Sequence, residues 1–171
     1  MKKLITAVLF LITLNQAFAQ QSKEINWISF DQLDSLYKEN PKPILVDLYT
    51  TWCGWCKKMD NDTYRNKKLV EYVNQNFYAI KFDAEYRKKI QYNGRTFSYE
   101  PRSRVNGLAL ALTNALSFPT TILIYKLGET PAPISGYLSA KQLEGPLKYY
   151  GSRSADSMSF QQFSGTIKKN W

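Results

Sequence analysis

The chain has 171 residues, 44% hydrophobic and 15% aromatic, with a formal net charge of +9. This composition excludes a disordered polymer and suits one packed domain. With no histidine and two cysteines, the chain excludes an internal Ser-His or Cys-His catalytic pair, and a zinc site would have to borrow carboxylates or a second chain.

Lys2 and Lys3 precede a short apolar run, Leu4 to Leu14, and Ala17-Phe18-Ala19 forms an A-x-A cleavage site before Gln20. The run is shorter than the roughly 20 residues a membrane-spanning helix needs. Residues 1–19 therefore read as a cleaved signal peptide of bacterial type, with a short membrane anchor as the competing reading. Residues 20–171 read as a single domain, periplasmic or secreted, in an oxidising compartment. No cysteine follows the cleavage site, so no lipid attachment is expected there, and no later segment has the length and apolarity of a membrane span.

Phe30, Leu33, Leu36 and Tyr37 recur at helical spacing, and Pro41 and Pro43 end that helix. Ile44 to Tyr49, ILVDLY, is an apolar run of strand length carrying one acid, Asp47, as a strand covered on both faces would. WCGWC follows at residues 52–56. Leu69, Val70, Val73 and Phe77 form a second helical stripe, and YAIKFD (Tyr78 to Asp83) alternates like a strand with Lys81 in its middle. Asn93-Gly94 between two short aromatic and β-branched runs predicts a hairpin. Leu108, Ala109, Leu112, Ala115 and Leu116 predict a small-residue helix, TTILIY (Thr120 to Tyr125) a strand, and Ile134 to Leu138 another. Ser139 with Gln142 is a capping box, Pro146 must kink or end the helix it opens, and Ser159 with Gln162 caps a last short helix. Strands alternating with helices and closing on an antiparallel pair predict an α/β domain, a mixed sheet with helices on both faces.

Cys53 and Cys56 admit three readings. Zinc lacks ligands. A purely structural bridge would close almost the smallest loop available and constrain little. A redox centre suits the setting best. Cys53 follows a buried strand and opens a helix, where free N–H groups stabilise a thiolate, and Cys56 lies one turn on along the same face, able to resolve a mixed disulfide.

ILVDLYTTWCGWCKKM resembles the strand, active site and helix start of the thioredoxin superfamily, SFPTTILIY its cis-proline segment, and GYLSAKQL its closing strand and last helix cap. TTWCGWCKKMDNDTYRNKKLVEYVNQNFYAIKFDAE is similar to the C-terminal thioredoxin-like domain of periplasmic thiol:disulfide interchange reductases. The resemblance covers roughly residues 26–150. It implies a thioredoxin fold, attack by Cys53, resolution by Cys56 through a redox-active Cys53–Cys56 disulfide, and Asp47 as the buried acid that exchanges the second cysteine's proton. It further implies Lys81 as the strand lysine near that acid, Pro119 as the cis-proline, and Trp52, Gly54, Trp55, Phe118 and Thr120 with Pro119 as the surface that meets substrate. The implied activity is that of a protein-disulfide reductase acting on protein thiols and disulfides and recharged by a separate redox donor, with no metal, flavin or nucleotide. An oxidase or isomerase of the same fold, or a non-catalytic binding module, are the alternatives.

Two features depart from the common thioredoxin pattern. Trp55 stands where typical thioredoxins carry proline, and the stretch from Lys81 to Pro119 is long. The added segment, about residues 86–104, contains the predicted hairpin. Residues 85–104 hold six cations (Arg87, Lys88, Lys89, Arg95, Arg102, Arg104) against Glu85 and Glu100, a net +4. That excess suits either a solvated decoration or a surface for an acidic partner at Arg87, Lys88 and Lys89. Nucleic acid is not an expected partner of an exported protein.

Overall fold

The computed structural model describes residues 22–113 and 115–171; the expected signal peptide lies outside them. In chain order the elements are β1 (Trp27–Ile28), α1 (Phe30–Glu39), β2 (Ile44–Tyr49), α2 (Gly54–Asp62), α3 (Lys67–Asn76) and β3 (Tyr78–Asp83). There follow β4 (Ile90–Tyr92), β5 (Arg95–Phe97), β6 (Tyr99–Glu100), β7 (Val105–Asn106), α4 (Gly107–Leu112), β8 (Thr120–Ile124), β9 (Ala132–Ser135), α5 (Ala140–Gly151), a 3-10 turn at Ser154–Asp156 and α6 (Phe160–Thr166).

Strand β2 is central because its sequence leaves it no solvent face. It pairs in parallel with β3 and antiparallel with β8 in a five-stranded sheet ordered β1-β3-β2-β8-β9. Side chains alternate across a strand, so the run divides between two cores. Ile44, Val46 and Leu48 pack with Phe30 and Leu33 of α1, Ile80, Phe82, Ile122, Ile124 and the α4 residues Leu108, Ala109 and Leu112. Leu45 packs on the other face with Met59 of α2, Leu69, Val70 and Val73 of α3, and Leu143 and Leu147 of α5. Asp47, two residues beyond Leu45, points the same way. A carboxyl group is thereby directed beneath the helix that follows the cysteines.

The expected thioredoxin fold with helices on both faces is present, as is the hairpin at Asn93-Gly94, whose turn residues have φ of 49° and 71°. The helix expected through Leu116 stops at Leu112, and Ala115 and Leu116 are exposed. The strand expected at Ile134 to Leu138 lies earlier, at Ala132–Ser135, and ends at Gly136, whose φ of 92° carries the chain away. Pro146 does not end α5: the helix continues to Gly151, losing only the one N–H that proline lacks. The Ser139–Gln142 and Ser159–Gln162 capping boxes open α5 and α6 as expected.

The insert is tied down at its base by Asn106, which is fully buried. Its backbone N–H donates to Ala84 O at 2.6 Å, its Nδ2 donates to Tyr86 O at 3.0 Å and Lys88 O at 3.1 Å, and its Oδ1 accepts from Leu108 N at 3.0 Å. One side chain thus satisfies carbonyls in a stretch that has no strand partner. Unpaired buried carbonyls are costly. Asn106→Ala should lower unfolding free energy by about 2–3 kcal/mol and speed amide exchange selectively between Glu85 and Ile90. Urea denaturation with hydrogen-exchange mass spectrometry checks this, and unchanged exchange in that stretch would remove Asn106 as its anchor.

Candidate active site

Cys53 is the N-cap of α2 and is bonded to Cys56 as a disulfide, three residues on. Cys53 Sγ also accepts the Cys56 backbone N–H at 3.1 Å. The helix forms here because the strand ends at Tyr49, a turn through Thr50 and Trp52 redirects the chain, and Cys53 N–H closes onto Thr50 O at 3.2 Å. The sulfur that caps the helix therefore sits where free N–H groups favour negative charge. Both cysteines are buried, whereas the flanking Trp52 and Trp55 are 65% and 60% exposed. The two indoles thus leave an exposed aromatic patch beside a covered disulfide.

The remaining surface residues converge there. The Phe118–Pro119 peptide is cis, and the Phe118 ring meets Trp52 edge-on at 5.9 Å. Trp55 leans on Tyr137 at 5.7 Å, and Trp52 Nε1 donates to Glu85 at 3.2 Å. Gly54 has open space where a Cβ would lie, so its neighbourhood is free for an approaching chain. Thr120 departs from the expected substrate surface. It is fully buried, and its hydroxyl donates to Ser117 O at 2.7 Å, so its side chain shapes the proline turn from inside.

Asp47 lies between Lys81 and Thr121 in the sheet register. Lys81 Nζ is 3.5 Å from Asp47 Oδ2 and also pairs with Asp60. The ammonium is steadied over the rings of Tyr49 and Trp27 at 5.1 and 5.5 Å. Burial pushes the Asp47 carboxyl from 3.8 up to about 6; Lys81 opposes this and the charge of Asp60 adds to it. The buried hydroxyls of Tyr64 and Thr121 are without well-formed hydrogen bonds, and Tyr64 lies close enough to Asp47 to favour its charged form slightly.

Sequence reasoning did not single out Asp60. It lies four residues after Cys56, on the same helical face, and that spacing was the available signal. Its contact with Lys81, 21 residues away, forms only when α2 packs over β3. The links from Trp52 to Glu85 and from Asn106 to the insert were likewise unread. Among the described residues, no cluster of three or more His, Cys, Asp or Glu is arranged to hold a metal, and no helix is long and apolar enough to cross a membrane.

Comparison with known proteins agrees with this geometry. A family described as a thioredoxin-like domain matches residues 30–151. The thiol:disulfide interchange protein DsbD of Campylobacter jejuni is 25% identical over 115 residues, which are 67% of this chain and 17% of that protein. This chain thus spans less than a fifth of that relative. A solved thioredoxin-fold protein from Helicobacter pylori superposes with a TM-score of 0.56 at 20% identity, covering 86% of this chain and 89% of that one. The structure of a DsbH oxidoreductase gives 0.56 at 15% identity, covering 81% and 92%. At these identities the structural likeness concerns the fold.

A raised carboxyl pKa makes a signed prediction. Between about pH 4 and pH 6 the folded chain binds a proton at Asp47 that the unfolded chain has released, so this group's contribution to stability falls as pH rises through that window. Asp47→Asn removes the penalty. It should be more stable than wild type near neutral pH, by up to about 3 kcal/mol, with the difference vanishing below about pH 4. Urea titrations at both pH values check it, and a variant less stable at neutral pH would contradict it.

Proposed function

The chain belongs to the thioredoxin-like family, and we propose that it is an exported thiol-disulfide oxidoreductase that reduces protein disulfides through Cys53 and Cys56. The observation that carries this reading is the disulfide itself, placed at a helix N-cap between two exposed tryptophans and a cis-proline. The reductive direction rests on the resemblance of residues 50–85 to the C-terminal domain of periplasmic thiol:disulfide interchange reductases. Export rests on the leader-like composition of residues 1–19.

In the reduced enzyme the Cys53 thiolate, stabilised at the start of α2, attacks one sulfur of a client disulfide. A Cys53–client disulfide forms, and the other client sulfur leaves as a thiolate and takes a proton from water. The ionised Asp47 carboxylate then takes the proton of the Cys56 thiol, and the Cys56 thiolate attacks Cys53 Sγ. The Cys53–Cys56 disulfide forms and the second client thiol is released. As the second client sulfur leaves it takes that proton back from Asp47, so the enzyme has lost two electrons and the Cys56 proton, and the client has gained two electrons and two protons, one of them from water. A dithiol donor reverses these steps on the enzyme and recharges it. The backbone at Phe118–Pro119, with Trp52, Gly54 and Trp55, holds the client chain beside the sulfurs. Burial, opposed by Lys81 and reinforced by the charge of Asp60, sets how readily Asp47 ionises. A base with a pKa of about 6 is charged at neutral pH yet basic enough to be reprotonated in the cycle.

Cys53→Ser should abolish dithiothreitol-driven reduction of a protein disulfide, and undiminished turnover would sink the redox reading. Cys56→Ala, expressed with residues 1–19 in an exporting bacterium, should accumulate covalent adducts that collapse on reduction, and Cys53→Ala should trap far fewer. Equal trapping by the two would mean that Cys53 is not the privileged nucleophile. Asp47→Asn should lower turnover and flatten the rise of rate with pH near 6, which a stopped-flow pH series reads directly.

A further inference from the structure

The insert carries six cations, all exposed. Among the described residues, ion pairs engage Lys58, Lys81, Lys126, Lys148 and Arg153, and none engages Arg87, Lys88, Lys89, Arg95, Arg102 or Arg104. Several lysines elsewhere on the described surface are likewise outside ion pairs; what distinguishes these six is their concentration in one stretch, at a net +4. Of the two carboxylates in the same stretch, Glu85 is occupied by the Trp52 indole.

These cations are held rather than loose. The Arg87 guanidinium stacks 4.5 Å from the centre of Tyr99, and Arg95 5.2 Å from Phe97. Phe97 and Tyr99 are two residues apart in a nearly continuous extended run, which places their rings on one side of the chain. A stacked guanidinium keeps its N–H fork directed outward with little rotamer freedom, the arrangement that suits carboxylates. The backbone under Arg87 and Lys88 is fixed by Asn106. Arg104 occupies the left-handed region at φ 59°, where a β-carbon is unfavourable and glycine would cost less. An open cleft of about 610 Å³ lies beside β5, lined by Arg95, Phe97, Glu100, Arg102 and Leu110. Leu110 is 41% exposed and gives the cleft an apolar floor.

We propose that the insert is a docking surface for an acidic segment of the protein that exchanges disulfides with Cys53, its carboxylates meeting Arg87 and Arg95 and an apolar side chain covering Leu110. The partner chemistry follows from the surface. Free, ring-stacked guanidinium groups select carboxylates, and a concave apolar floor selects a polypeptide side chain over a flat lipid surface. The hydrogen bond from Trp52 to Glu85 sets the root of the insert at the edge of the disulfide, while the hairpin tip lies away from it with Asn93 against Gly128, so an extended acidic segment lying along the insert from Arg95 past Arg87 reaches the sulfurs at the root. Docking of this kind raises the association rate and loses strength as salt screens it, over about 8 Å at physiological ionic strength.

The link to Cys53 rests on the redox reading, and the test separates the two. A fluorescein-labelled Glu/Leu peptide and its Lys/Leu counterpart are titrated by polarisation with the wild-type chain and with Arg87→Gln/Arg95→Gln. Wild type should bind the acidic peptide in preference to the basic one, more weakly as salt rises. The double variant should bind it about tenfold more weakly at low salt. A third variant, Leu110→Ser, should weaken binding without altering the salt dependence. Turnover of the uncharged hydroxyethyl disulfide, which reports the cysteines alone, should be the same in wild type and variants. Equal peptide binding by wild type and the double variant overturns the docking surface, as does binding of phosphatidylglycerol vesicles with none of the peptide. Peptide binding without hydroxyethyl disulfide turnover in any protein supports the surface and overturns the redox reading.

Discussion

Asp47 is a carboxyl group in a strand whose other core positions are isoleucine, leucine and valine, and the arrangement around it follows from that one burial. Left alone there, its charge would be strongly disfavoured. The sheet register sets Lys81 opposite it on β3 and Thr121 on β8. Lys81 cannot neutralise it fully, because Asp60 on α2 holds the same ammonium. Burial, only partly opposed by this shared lysine, raises the acid to about 6 under the helix capped by Cys53. A lysine serving only Asp47 would hold its pKa lower and make it a weaker base. Absence of the lysine would let its pKa rise further.

The constraint is local to one face of the sheet, which leaves the other free to vary. The Leu45 face must accommodate α2, and with it the disulfide and the acid. The opposite face, built on Ile44, Val46 and Leu48, carries α1, α4 and the root of the insert. An added segment between β3 and β8 can therefore extend from that core without disturbing the cysteines. It leaves β3 at the end of the sheet where the disulfide lies, since β3 runs parallel to β2. Parallel pairing thus brings the root of the basic segment, at Glu85, close to Trp52. The two indoles leave apolar surface exposed at the sulfurs, and Glu85, at the root of the insert, meets one of them.

The parts of this protein that could be read from its sequence are those encoded at short range. The spacing of Cys53 and Cys56, the unbroken run ILVDLY, the Ser/Gln capping boxes, the Asn93-Gly94 turn and the Phe-Pro-Thr segment each report a local backbone state, and each is found where it was expected. The misplacements are also short-range. Apolar spacing continued the helix past Leu112 and pushed the last strand past Ser135, because periodicity measures which residues face inward and carries no signal for where hydrogen bonding stops.

Chain-distant pairings had no such signature. The sequence by itself determined the fold class, the redox pair and the acid beneath it, because a buried strand followed by a cysteine-capped helix is specified within about two dozen residues. Only the tertiary structure decided that Asp60 shares Lys81, that Asn106 clamps the insert, that Trp52 reaches Glu85, and that Thr120 turns inward. Each of these depends on which residues the sheet register and helix packing bring together across the chain. It is there that the pKa of Asp47 and the fixed orientation of the arginines are set.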